Sequence, residues 1–329
     1  MIGVTGANGL LGSFIVRKLV DEGERFIAFR RQNSDTSLLD DLGDKVEWRE
    51  LDLLDPVSVD EAMEGVTAVI HTAAIVSFDP RRARAIARAN VEGTRNIVNA
   101  CLANGVDRFI HVSSVAALGR SRGDKVVDEN HKWVENGQHS DYAVSKYRAE
   151  LEVYRGQQEG LKTAILNPSV ILAPADWSRS SAKLFKYAWD ERLFYIDGSL
   201  NYVDVRDVAT LAWLLLKSGT ENERFIVNGG SVTFKAFFDA VASRFGTKPP
   251  MIRLSQKFLS IVARIEGLFA RIRRSEALIG PETARLAGAH FRYQNQKIKD
   301  VLGFRFRSLD ETLDWCCQYY VGKFGTKKA

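Results

Sequence analysis

The chain has 329 residues, 45% of them hydrophobic and 26% charged, with a formal net charge of +5 at pH 7. That is enough apolar material for a domain-sized core, yet no apolar run approaches the ~20 residues of a membrane span, and no charged-then-apolar leader precedes the first strand, so no signal peptide is expected. The mild basic excess is spread along the chain and reads as solvated helix faces, against a nucleic-acid platform or a membrane-surface role, and three cysteines, two of them adjacent, argue against a disulfide framework and fit a reducing cytoplasm.

An apolar run ends at Thr5, Gly6, Gly9 and Gly12 follow, and an apolar helix pattern starts at Leu10. This is strand, tight turn, helix, with glycine where backbone must approach something closely. Thr5, Gly6, Asn8, Gly9, Leu10, Leu11 and Gly12 are therefore expected to hold a dinucleotide pyrophosphate with backbone N–H groups and the helix dipole. A second buried-strand pattern covers 25–30 and ends in Arg30 and Arg31, with no acid until Asp35. An acid there would take the ribose 2′-hydroxyl of NAD, whereas an arginine accommodates a 2′-phosphate. NADP(H) is favoured, with NAD(H) as the alternative.

The third strand pattern, 46–51, leads to Asp52, placed to accept from an adenine amino group, with Leu53 beside it. Asp55-Pro56 reads as an N-cap with proline at N1. The fourth strand, 68–71, runs into Thr72, Ala73 and Ala74, small residues that let the chain pass beneath a cofactor. His71 reads as a packed or hydrogen-bonded residue rather than a base. A single long helix is expected over 80–104, carrying Asn90, and a fifth strand over 106–114 ends in Ser113 and Ser114. Strands alternating with helices at this spacing predict an α/β fold, a doubly wound parallel sheet with right-handed crossovers.

Tyr142 and Lys146, four apart, share one face of the next helix. A phenol near pKa 10 is a poor acid–base group at neutral pH, and a neighbouring ammonium brings that value down. A hydroxyl from Ser114, or from Ser113, ends a strand at the same sheet edge and can orient a carbonyl. The ordered set Thr5-Gly-Ala-Asn-Gly-Leu-Leu-Gly12, Asp52, His71-Thr-Ala-Ala74, Asn90, Ser113-Ser114, Tyr142-x-x-x-Lys146, Asn167-Pro-Ser-Val170 and Tyr202-Val-Asp-Val-Arg-Asp-Val-Ala209 resembles the extended short-chain dehydrogenase/reductases. The branch it looks most like is that of the dihydroflavonol reductases and 3β-hydroxysteroid dehydrogenases.

The resemblance implies a Rossmann-type dinucleotide-binding domain over 1–175, rejoined by about 197–230, and a smaller C-terminal substrate-binding lobe within 176–329. It also implies hydride transfer to a ketone or aldehyde, or the reverse. Tyr142 would be the proton donor, Lys146 would lower its pKa and hold the nicotinamide ribose, and Ser114 would orient the substrate. Asn90 would be structural, and Pro168 to Val170 would run beside the nicotinamide. Apolar surroundings (Val76, Phe78, Val115, Ala116) suit a small hydrophobic carbonyl compound. Two rivals stand: an NAD-dependent sugar-nucleotide epimerase and a non-catalytic dinucleotide sensor. Val115-Ala116 stands where sugar dehydratases of this pattern carry an Asp-Glu pair, and Val170 stands where epimerases place an asparagine. No metal is expected; the oligomeric state stays open, with a homodimer through helices 80–104 and 141–159 the arrangement that the resemblance offers.

Beyond residue 183, a hairpin around Asp197-Gly198, helices over 204–217 and 233–245, and a strand over 224–228 are expected. Residues 254–274 have the period of a basic amphipathic helix, read as packed on the substrate lobe or a dimer mate. A loop over 300–304 precedes a helix capped by Ser308 and Glu311, on which Cys316 and Cys317 are structural. The tail from Gly322 is expected to fray.

Overall fold

The computed structural model describes residues 1–119, 126–135, 139–177, 179, 181–254 and 290–325. Seven parallel strands form one sheet: β1 (Ile2–Thr5), β2 (Phe26–Arg30), β3 (Trp48–Glu50), β4 (Ala68–His71), β5 (Arg108–Val112), β7 (Thr163–Pro168) and β11 (Glu223–Val227), with β6 (Val126–Val127) lying outside it. Their spatial order is β11-β7-β5-β4-β1-β2-β3. The order reverses between β1 and β4, and a crevice opens at such a switch point, beyond the carboxyl ends of the strands. Burial on both faces explains the near-continuous apolar strands: β7 is buried along its whole length.

Helices cover both faces. On one, α1 (Leu10–Asp21) and α7 (Val205–Lys217) pack on Val4, Ile70, Ile110 and Leu166. On the other lie α2 (Pro56–Ala62), α4 (Gly93–Ala103) and α5 (Asp141–Gln158), against Ile27, Val69, Phe109 and Ile165, while α3 (Ala83–Ala87) packs on α5. Asp55 caps α2 by accepting from Val57 N–H, as its Asp-Pro spacing implies. Further along come β8 (Val170–Leu172), α6 (Ala182–Trp189), β9 (Phe194–Ile196), β10 (Ser199–Asp204), β12 (Gly230–Thr233) and α8 (Phe234–Phe245). They are followed by β13 (Ile252–Leu254), β14 (Arg292–Tyr293), α9 (Gln296–Leu302) and α10 (Leu309–Phe324). A separate apolar cluster there joins Phe185, Phe237, Phe245 and Tyr320.

Four expectations change. The helix over 80–104 is a 3-10 turn, then α3, then a π-turn over Arg88–Glu92, then α4. Asn90 is the buried residue of this π-turn, a feature frequent at functional sites. The hairpin around Asp197-Gly198 is absent: β9 pairs in parallel with β13, and β10 pairs with β8 and β12. The chain changes sheets at Gly198, whose φ of +125° few other residues adopt. Residues 296–302 are helical, closed by Gly303 in the left-handed region, so the expected loop is shorter. The last helix runs on to Phe324, locked by the Ser308–Glu311 capping box, with Cys316 and Cys317 buried. Of the amphipathic segment, residues 255–274 lie outside the described residues.

Candidate active site

The glycine turn is built by close approach. A Cβ on Gly12 would lie 2.0 Å from Gly6 O, and one on Gly6 (φ +69°) would lie 2.7 Å from Ala73 N. Gly9 accepts Ser13 N–H and starts α1 with no side-chain cap and no acid in the first turn. The N–H groups of Leu10, Leu11 and Gly12 are thus presented to an anion. Thr5 Oγ1 lies 2.7 Å from His71 Nδ1, and Thr72 Oγ1 donates to Thr5 O at 2.7 Å. Thr72, Ala73 and Ala74 therefore lie against the turn. Asn8 donates to Asp35 O and pins the segment after β2.

Beyond β2 and β3, a cleft of about 450 Å³ is lined by Arg31, Asn33, Ser34, Glu50, Leu51 and Asp52 among others. Arg31 faces it. Arg30 lies over the Trp48 indole, 5.5 Å from the ring centroid, with Nε buried and unpartnered among the described residues. The exposed Asp35 carboxylate accepts from Ser37 N and lies 3.6 Å from Arg179. Asp52 accepts from Leu54 N–H, and Leu53 O accepts from Asn96 Nδ2. The uncapped helix end, the glycine cradle and this cleft fit a dinucleotide.

β5 leads directly into Ser113, whose hydroxyl is buried without a partner among the described residues. The next residue, Ser114, caps a 3-10 turn over Val115–Leu118, its Oγ accepting from Ala116 N–H at 3.2 Å. With a lone pair engaged there, its O–H is left to donate to a substrate. The turn packs against α5. Ser140 caps α5 by accepting from Ala143 N–H, which fixes where Tyr142 and Lys146 fall. Tyr142 is buried, and Phe78 meets its ring edge-on at 5.7 Å. Lys146 is buried, donates to Val112 O at 2.9 Å, and has its pKa brought down to about 8 by burial, against the opposing pull of Glu150. Asn90 Oδ1 accepts from Ile75 N–H while Nδ2 donates to Ile75 O and Ser145 Oγ, tying the post-β4 segment to α5.

His71 is fully buried between Thr5 and Thr94, and burial, then the charge of Lys146, lowers its pKa to about 3. It is a packed residue, as its place in the sequence suggests. Pro168 ends β7 and Val170 opens β8, the latter partly exposed, as are Val76 and Phe78. Val115 packs on Leu118, Val127, Ile226 and Tyr293. The return of 291–293 to this site was not foreseen; only the apolar alternation of Phe291 and Tyr293 hints at it. Among the described residues no cluster of His, Cys, Asp and Glu is placed to hold a metal, and no helix is long and apolar enough to cross a membrane.

Residues 2–228 match the family model described as NAD dependent epimerase/dehydratase family. The chain belongs to this family. It is 31% identical over 269 residues to sterol demethylase protein B of Methylococcus capsulatus, covering 80% of each chain. It is 29% identical to cinnamoyl-CoA reductase 1 of Oryza sativa subsp. japonica, over 70% of this chain and 71% of that one. The crystal structure of gox2253 superposes with a TM-score of 0.84 at 33% identity, covering 99% of both chains. The family is the one to which the ordered motifs point, in its dihydroflavonol-reductase-like branch. The chain is accordingly an NAD(P)-dependent enzyme of the short-chain dehydrogenase/reductase type.

Proposed function

We propose that this enzyme is an NADP(H)-dependent reductase of a small, apolar ketone or aldehyde, with Tyr142 as general acid and base. The observation that carries this is the buried Lys146 ammonium one helical turn from Tyr142, on the same face of α5. A charge held out of water acts strongly on a neighbouring phenol. When bound, the reduced nicotinamide supplies the hydride to the carbonyl carbon. Tyr142 delivers the proton to the oxygen, Lys146 supports the resulting phenolate, and Ser114 donates a hydrogen bond that aims the carbonyl. Val76, Phe78 and Val170 present apolar surface around this point, suited to an uncharged substrate. Arg31 in the cleft beside β2 and β3, whose lining does not include Asp35, favours NADP(H) over NAD(H). Relatives named as reductases support carbonyl chemistry.

The test is NADPH oxidation, followed by absorbance, with a panel of apolar ketones and aldehydes. Tyr142→Phe is expected to lower kcat about 100-fold or more, in the range of a lost general acid, with the circular dichroism spectrum and NADPH affinity preserved. Turnover undiminished in that variant would overturn the mechanism.

A further inference from the structure

Tyr142, Lys146 and Glu150 lie one turn apart on the same helix. The proposed reaction uses the first two. Glu150 has no part in it, yet it is wholly buried. A buried carboxylate is costly unless it is paired and hydrogen-bonded, so its partners indicate its purpose. Oε1 accepts from Asn167 Nδ2 at 2.6 Å, and Oε2 from Arg224 Nη1 at 3.3 Å. The same Asn167 Nδ2 donates to Ser114 O at 2.8 Å. An amide nitrogen carries two N–H donors, and here one goes to the catalytic helix and the other to the turn bearing Ser114. Both neighbours are acceptors, which fixes the orientation of the amide. Arg224 also donates to Glu129 O, holding the far side of the carboxylate. The other charged or titratable groups acting with Glu150 are Lys146 and Tyr154 on its own helix.

We infer that Glu150 and Asn167 are positioning residues that lock the Ser114 turn to the helix carrying Tyr142 and Lys146. The lock sets where the hydroxyl stands relative to the phenol. Its kinetic consequence rests on the reductase reading; the lock itself can be measured without turnover.

Amide hydrogen exchange by mass spectrometry on the full chain reads the lock directly. Asn167→Ala is expected to speed exchange in 113–119 about tenfold or more, with 141–158 and the sheet strands at wild-type rates. Glu150→Gln, which keeps an acceptor for Asn167, is expected to retain protection at 113–119. If Asn167→Ala does not fold, Asn167→Leu combined with Glu150→Met removes donor and acceptor together without stranding a carboxylate, and it should show the same local loss. With a carbonyl substrate, kcat should fall about tenfold in Asn167→Ala while NADPH affinity holds, whereas Glu150→Gln should keep most of the wild-type rate. Unchanged exchange at 113–119, or an equal rise throughout the chain, would overturn the inference. Absence of carbonyl turnover in the wild type would overturn the reductase reading and leave the exchange result standing.

Discussion

Two adjacent arginines at the end of β2 do different things. Arg30 stacks over Trp48, while Arg31 faces the cleft proposed to hold the adenosine, with Asn33 and Ser34. Glu50 and Asp52 line the same cleft, so Arg31 brings positive charge to a wall that otherwise repels a phosphate. Hydrogen bonds to charged groups are worth about 1.5–3 kcal/mol, and a 2′-phosphate is present only in NADP(H). Arg31→Ser is therefore expected to weaken NADPH binding about tenfold or more and to leave NADH binding within a factor of two to three. Fluorescence titration of both cofactors checks it. Equal losses for the two, or none for NADPH, would shift the preference away from NADP(H).

Among the described glycines, Gly12 in the turn after β1 has the least room for a side chain. Gly12 has another backbone at 2.0 Å from where a Cβ would sit, whereas Gly219 has nothing within 4 Å. Backbone cannot yield as a flexible side chain does, so Gly12→Ala should open the turn, lower the Tm by several degrees and abolish dinucleotide binding. Gly219→Ala should leave both nearly unchanged. Thermal melts with and without NADPH separate the cases; a Gly12→Ala protein that binds NADPH normally would mean the turn can rearrange. This element was legible in the sequence because it is local: strand, glycines and helix are contiguous, as are Tyr142 and Lys146 on one helix. The π-turn was not, because the apolar period runs through 80–104 while Asn90, buried in Ile75 and Ser145 contacts, draws in an extra residue. Nor was the Glu150–Asn167–Ser114 lock, whose partners come together only when β5 and β7 lie side by side. The return of β14 to β6 is a still longer connection.

At the scale of the whole molecule, the space between the sheet and α4–α5 holds two histidines that must stay neutral. His71 and His111 are fully buried and stack at 5.4 Å, and neither ring nitrogen of His111 has a partner among the described residues. Burial, then the nearby Lys146 charge, pushes both pKa values down, that of His71 to about 3. Unfolded, a histidine titrates near its ordinary value of 6.5. Between about pH 6.5 and 3 the unfolded chain therefore binds protons that the folded protein refuses. Stability is present in full above the unfolded value and is lost as pH falls through this window. For His71 alone, the loss between pH 7.5 and 5 is about 2 kcal/mol by this linkage. Urea denaturation at the two pH values is expected to show a smaller acid loss in His71→Gln than in the wild type, by that order. A side-chain amide can keep a hydrogen bond to Thr5 or Thr94 but takes up no proton. Identical acid losses in the two proteins would mean that His71 gains a proton without unfolding, with water reaching the ring between Thr5 and Thr94, directly beneath the dinucleotide turn.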